Sequence, residues 1–172
     1  MQLGSLIIDI AGNELTNEDI DLLKHPYIGG IILFSRNFVS VDQIKELIRK
    51  IKSLRSPSLI VYVDQEGGSV QRFKEGMTLL PSISLLGEKY IADSDEAFLI
   101  ARGLGWLTGF ELTSIGIDVN TSPVLDINFK RSNIMANRCF SEKPKTVSLL
   151  AESFILGSKE SGISSICKHY PG

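Results

Sequence analysis

Val61-Tyr62-Val63-Asp64-Gln65-Glu66-Gly67-Gly68-Ser69-Val70-Gln71-Arg72-Phe73 is the stretch on which the reading of the fold turns. Leu59 to Val63 is an apolar, β-branched run of the kind that forms a strand buried on both faces, and it stops abruptly at two carboxylates and a glycine pair. Parallel strands deliver their last side chains into the crevice at the carboxyl edge of the sheet, where α/β folds hold their ligands. Gly67 and Gly68 permit a tight turn with positive φ, which folds Arg72 back over whatever Asp64 touches. A carboxylate and a guanidinium converging on one cavity suit a polyhydroxylated ligand, because one accepts from hydroxyls and the other donates through a fixed fork. A loop in which Asp64 and Arg72 merely pair with each other is the competing reading. Glu66 falls on the opposite side if the strand continues, and is read as a loop carboxylate that orients Arg72 or a backbone amide.

Working outward, strands and helices alternate. Leu6–Ile10 is a first strand; Thr16 with Asn17, Glu18 and Asp19 has the hydroxyl cap and first-turn acids of a helix start, leading to Ile20, Leu22 and Leu23. Gly29–Phe34 is a second strand, ending at Ser35-Arg36-Asn37. Ser40 and Gln43 resemble a capping box before the helical face Ile44, Leu47, Ile48, Ile51 and Leu54. From Gly67 to Asp93 the chain reads as a long loop, a length that usually carries function or an insertion. Ser94-Asp95-Glu96 caps a long helix with the stripe Ala97, Ile100, Leu104, Leu107 and Phe110; Gly103, Gly105 and Gly109 within it imply a close neighbour, since each costs about 1 kcal/mol relative to Ala. Trp106, beside the stripe, reads as packing. Ile117–Val124 is a fourth strand. A helix with Val147, Leu150, Ala151, Phe154 and Ile155 on one face ends at Gly162, and Ile163–Cys167 is a fifth strand delivering Lys168 and His169. Asp126 stands after the fourth strand, as a second pocket acid or a cap.

This order predicts a parallel sheet with right-handed crossovers. Strand counting leaves two architectures open: a flavodoxin-like open sheet, and the first five units of a (β/α)8 barrel, which needs about 250 residues. No GxGxxG or GxxxxGK[ST] follows any strand, so nucleotide fingerprints are absent.

The 172 residues, 43% hydrophobic and 22% charged, fit one domain with a substantial core. A net charge of -2 without basic clusters gives no footprint for nucleic acid or an anionic membrane. With no basic, apolar leader after Met1 and no apolar run approaching ~18 residues, the expectation is a cytoplasmic protein. Cys139 and Cys167 are isolated thiols without ligand spacing, so neither a metal nor another cofactor is expected.

The segments HPYIGGIILFSRN (25–37), VDQEGGSVQRF (63–73), DVNTSPVLDIN (118–128), NRCFSEKP (137–144) and KHYPG (168–172) together resemble the bacterial β-N-acetylhexosaminidases of glycoside hydrolase family 3. The resemblance runs through the whole chain and implies the N-terminal five βα units of a TIM (β/α)8 barrel, truncated, as one partial domain over residues 1–172. It implies a retaining glycosidase of peptidoglycan recycling that removes terminal N-acetylglucosamine from muropeptides. Carried over by position, Asp64 matches the Asp on the sugar hydroxyls, Arg72 and Arg138 match arginines lining the same pocket, and Lys168 and His169 match the Lys-His pair that holds the sugar before a Pro-Gly turn. The segment around Arg138 departs from the family pattern: Ala136 replaces the usual glycine and Cys139 the small polar residue. The acid/base His and the Asp nucleophile are expected beyond Gly172, so the 172-residue chain alone is predicted to be inactive. A second chain, or self-association, is the expected means of completing the barrel. The alternatives are a catalytically dead sugar-binding or regulatory half-barrel and a β-glucosidase-like relative.

Overall fold

The structure, a computed structural model, describes residues 3–170; Met1, Gln2, Pro171 and Gly172, with the turn expected at 171–172, lie outside the described residues. Five parallel strands form one sheet: β1 (Leu6–Ile8), β2 (Ile28–Leu33), β3 (Ile60–Val63), β6 (Val119–Asn120) and β7 (Ser164–Ser165), side by side in that order. Between β3 and β6 in the chain, β4 (Gln65–Gly67) and β5 (Val70–Gln71) pair with each other as an antiparallel hairpin. A doubly wound sheet reverses direction at a switch point, whereas a barrel wall adds each parallel strand beside the last. The sequential order therefore selects the barrel wall.

Between the strands lie α1 (Asn17–Leu23), α2 (Val41–Ser53), α3 (Ser84–Ala92), α4 (Ser94–Ser114) and α5 (Pro144–Glu160). The Thr16 hydroxyl and Asp19 carboxylate form a reciprocal capping box on α1. Ser40 accepts from the Gln43 amide to cap α2, while the Gln43 side chain accepts from the Val39 amide, one residue short of a true box. On α2, Ile44, Leu47, Ile48 and Ile51 face inward and meet Ile31, Leu33, Val61 and Val63 of the sheet. The alternate positions Ile60 and Tyr62 remain half-buried, so β3 is shielded fully on one face only, contrary to the expectation of burial on both.

Several elements differ from the sequence reading. The strands are shorter than the apolar runs, because β6 meets Pro123, which has no amide hydrogen; pairing resumes once, between Val124 and Lys168. The expected loop after Gly67 holds the returning arm β5 of the hairpin and the helix α3. Asp93 caps α4, its carboxylate accepting from the Glu96 amide at 3.0 Å. The buried side of α4 is Ala97, Ala101, Gly105, Thr108, Gly109 and Leu112, while Ile100 and Phe110 of the expected stripe are exposed. The reason is α5. A Cβ on Gly105 would lie 2.0 Å from the Phe154 carbonyl oxygen, and one on Gly157 would lie 1.9 Å from that of Arg102, so the two helices touch backbone to backbone. No described helix is long and apolar enough to cross a membrane.

Candidate functional site

The sheet brings its strand tips together at the carboxyl edge, and five ionisable side chains meet there. Asp64 follows β3. One of its oxygens accepts from Lys168 Nζ at 2.8 Å and from the Thr121 hydroxyl, and the other accepts from Arg72 Nη2 at 2.9 Å. Lys168 also reaches Glu66 Oε1 at 2.5 Å, and Arg138 closes on Glu66 as a two-pronged fork, Nε and Nη2 each donating at 2.8 Å. The result is a continuous chain of charge, Arg72–Asp64–Lys168–Glu66–Arg138, with three cations holding two carboxylates.

Local structure explains why the groups converge. β3 ends at Val63 and the chain turns into the β4–β5 hairpin, which breaks the strand alternation and swings Glu66 onto the Asp64 side. Gly67 and Gly68 have φ of +99° and +55°, as the turn requires. Buried Gln65 accepts from the Arg72 and Phe73 amides at 3.0 and 3.1 Å and donates to the Phe73 carbonyl at 2.8 Å, so the returning arm that carries Arg72 is fixed to the strand end. Asn120, buried at the tip of β6, exchanges hydrogen bonds with the backbone of Gln65 at 3.0 and 3.1 Å. The Arg72 guanidinium lies 5.4 Å from the centre of the Phe34 ring, and its Nε is buried without a hydrogen-bond partner among the described residues.

Burial alone would raise the Asp64 pKa, but donors from Lys168, Thr121 and Arg72 outweigh it and bring it from 3.8 down to about 2. Glu66 likewise raises Arg138 above its ordinary value, against the opposing effect of burial. Both carboxylates in the cluster are engaged by cations. Such a site can orient and hold a neutral polyol by exchanging these side-chain bonds for bonds to hydroxyls.

Of the five residues singled out from the sequence, Asp64, Arg72, Arg138 and Lys168 lie in this one network. His169 does not join it: its Nδ1 pairs with Asp126 Oδ2 at 2.6 Å, half-exposed. The His169–Asp126 pair is adjacent, sharing a cleft of about 380 Å³ with Met135, whose sulfur touches Arg138 Nη1 at 3.5 Å. The Lys168–His169 peptide is cis.

Sequence reasoning misplaced Glu66. Its side chain is 2% exposed, and it fixes Arg138 and Lys168 rather than Arg72. Asp126, weighed as a pocket acid or a cap, is the partner of His169. Thr121 and Asn120 were missed, although a polar pair closing a short apolar strand is the signal that would have found them. Ala136 and Cys139 do not disturb Arg138; Cys139 is buried and burial pushes its thiol up. No group of three or more His, Cys, Asp or Glu among the described residues is arranged to hold a metal ion.

Residues 2–172 match the family model described as the glycosyl hydrolase family 3 N terminal domain. The chain is 44% identical over 169 residues to a beta-hexosaminidase of Chromobacterium violaceum, covering 98% of this chain and 47% of that one. It superposes on the crystal structure of NagZ from Neisseria gonorrhoeae in complex with N-trifluoroacetyl-D-glucosamine with a TM-score of 0.97 and 42% identity, over 99% of this chain and 50% of that one. A family 3 β-N-acetylglucosaminidase from a Paenibacillus species gives a TM-score of 0.87 at 28% identity, over 96% and 31%. The chain thus spans about half the length of the curated relatives it matches.

Proposed function

The chain belongs to glycosyl hydrolase family 3, and from that premise we propose that its strand-tip cluster is the portion of a β-N-acetylhexosaminidase that grips the terminal N-acetylglucosamine of a peptidoglycan fragment. One observation carries the reading: Asp64 and Lys168, 104 residues apart in sequence, meet at 2.8 Å at the carboxyl edge of the sheet with Arg72 and Arg138 on either side. In this reading Asp64 takes paired hydroxyls, Arg72 and Lys168 donate to ring substituents, and Arg138 and His169 border the same sugar.

Holding is all these residues supply. Retaining hydrolysis needs a free carboxylate nucleophile and a proton donor on opposite sides of the anomeric carbon, about 5 Å apart. Asp64 and Glu66 are each already bound by two cations. The cutting groups belong to the part of the relatives' length that this chain does not span. The further strands of the barrel pair along the open edges β1 and β7. A cytoplasmic place in cell-wall recycling goes with this reading.

Isothermal titration with N-acetylglucosamine, run beside an assay on a chromogenic N-acetylglucosaminide, tests it. The 172-residue chain should bind the sugar, lose binding in Asp64→Ala, and turn over nothing. Turnover that disappears in Asp64→Ala would make Asp64 a nucleophile and overturn the reading.

A further inference from the structure

Helix α4 carries large apolar side chains on its solvent-exposed side. Leu99 is 72% exposed, Trp106 44% and Phe110 54%, with the Trp106 and Phe110 rings stacked at 5.2 Å and 11°. With Gly103 they occupy positions 99, 103, 106 and 110, a spacing of four, three and four that keeps all of them on one helix face. Gly105 and Gly109 of the same helix are explained by the backbone and side chains pressed against them. Gly103 is not: a Cβ there would meet nothing within 4 Å. An exposed glycine in a helix interior costs about 1 kcal/mol relative to alanine, and this one leaves a notch between two bulky neighbours.

The spacing reads the same in both directions. An identical helix laid antiparallel across a two-fold axis between residues 104 and 105 sets Leu99 against Phe110 of the other copy and Gly103 against Trp106. The indole fills the notch, twice. Asp95 and Glu96 then fall opposite Ser114 and Thr113, so no like charges meet across the axis. Three or four exposed apolar side chains of this size present on the order of 400 Å². A standard stable interface buries about 800 Å² per partner, so this face suits a weak, concentration-dependent contact.

We propose that the outer face of α4 is a homodimer surface on which Trp106 of each copy seats over Gly103 of the other. This surface lies on the outside of the barrel wall and is independent of the sugar-site reading.

Trp106 is the chain's single tryptophan, so its emission reports on this face alone. Sedimentation velocity and Trp106 emission are to be followed together from about 1 µM to about 500 µM, the range in which a weak contact is resolved. The expected result is a dimer whose formation shifts the emission to the blue. Leu99→Glu and Phe110→Lys, both at exposed positions and checked for fold by circular dichroism, should each weaken self-association at least about tenfold. An equimolar mixture of the two should recover it. In the heterodimer the introduced carboxylate at position 99 of one copy meets only the introduced ammonium at position 110 of the other, and the remaining Leu99 meets only the remaining Phe110. A monomer throughout, a dimer that leaves Trp106 emission unchanged, or a mixture no tighter than either variant alone would overturn the proposal.

Discussion

Two aspartates stand at opposite ends of the same parallel sheet. Asp118, just before β6 at the amino edge, takes Lys52 at 2.6 Å on one oxygen and the Val61 backbone amide at 2.8 Å on the other. Asp64, just after β3 at the carboxyl edge, takes three donors, all of them side chains. The acid at the amino edge stitches one strand to the next through the main chain, and releasing it means opening the sheet. The acid at the carboxyl edge is held by groups that can rotate away and be replaced by a ligand's hydroxyls. On the proposed function the difference puts stability at one end and binding at the other, as a barrel wall divides them.

The contrast breaks most severely at Glu66, which lies at the binding end yet is the most buried acid of the cluster. Glu66→Gln leaves Arg138 without its counter-charge and Lys168 with Asp64 alone in a largely buried place, and should cost about 3 kcal/mol or more in urea unfolding. A cost under about 1 kcal/mol would mean that the cluster is solvated and not a fixed scaffold. The two aspartates sharpen the contrast by exchange of effects. Asp118→Ala should lose about 1–2 kcal/mol of stability with sugar binding unchanged, whereas Asp64→Asn should weaken N-acetylglucosamine binding at least about tenfold by calorimetry. Sugar binding weakened as much by Asp118→Ala as by Asp64→Asn would erase the distinction.

The effect confined to the narrowest conditions is on acid stability. The folded-state pKa of Asp64 lies below its ordinary 3.8, at about 2, so the stability it contributes is fully present above about pH 4 and is lost as pH falls through about 2. Carbon-detected titration of the Asp64 carboxyl should find it ionised at pH 3, and a midpoint near 4 would remove its three donors from the argument.

Most of the wall was legible because strands and amphipathic helices print different periods. Ile44, Leu47, Ile48 and Ile51 of α2, and Val147, Leu150, Ala151 and Phe154 of α5, stand where their spacing put them. The face of α4 was misread for a physical reason. It is chosen by how closely two backbones approach, so alanine, glycine and threonine go inside and Phe110 is left out. Helix α3 was invisible because Ile83 offers no side-chain cap and the stretch around it is rich in serine and glycine. At the site, resemblance to known motifs pointed to Asp64, Arg72, Arg138 and Lys168, which the fold assembles. The role of Glu66 could not be read, since it depends on the chain leaving β3 one residue after Val63.

Lys168 reaches both carboxylates from just beyond β7, a two-residue strand at the margin of the sheet. Fraying of that margin withdraws one ammonium from two acids at once, so on the proposed function the grip on ligand and the protection of β7 from hydrogen exchange should be a single equilibrium. On the proposed function, a partner docked along β7 should tighten the pocket, and N-acetylglucosamine should slow exchange along β7.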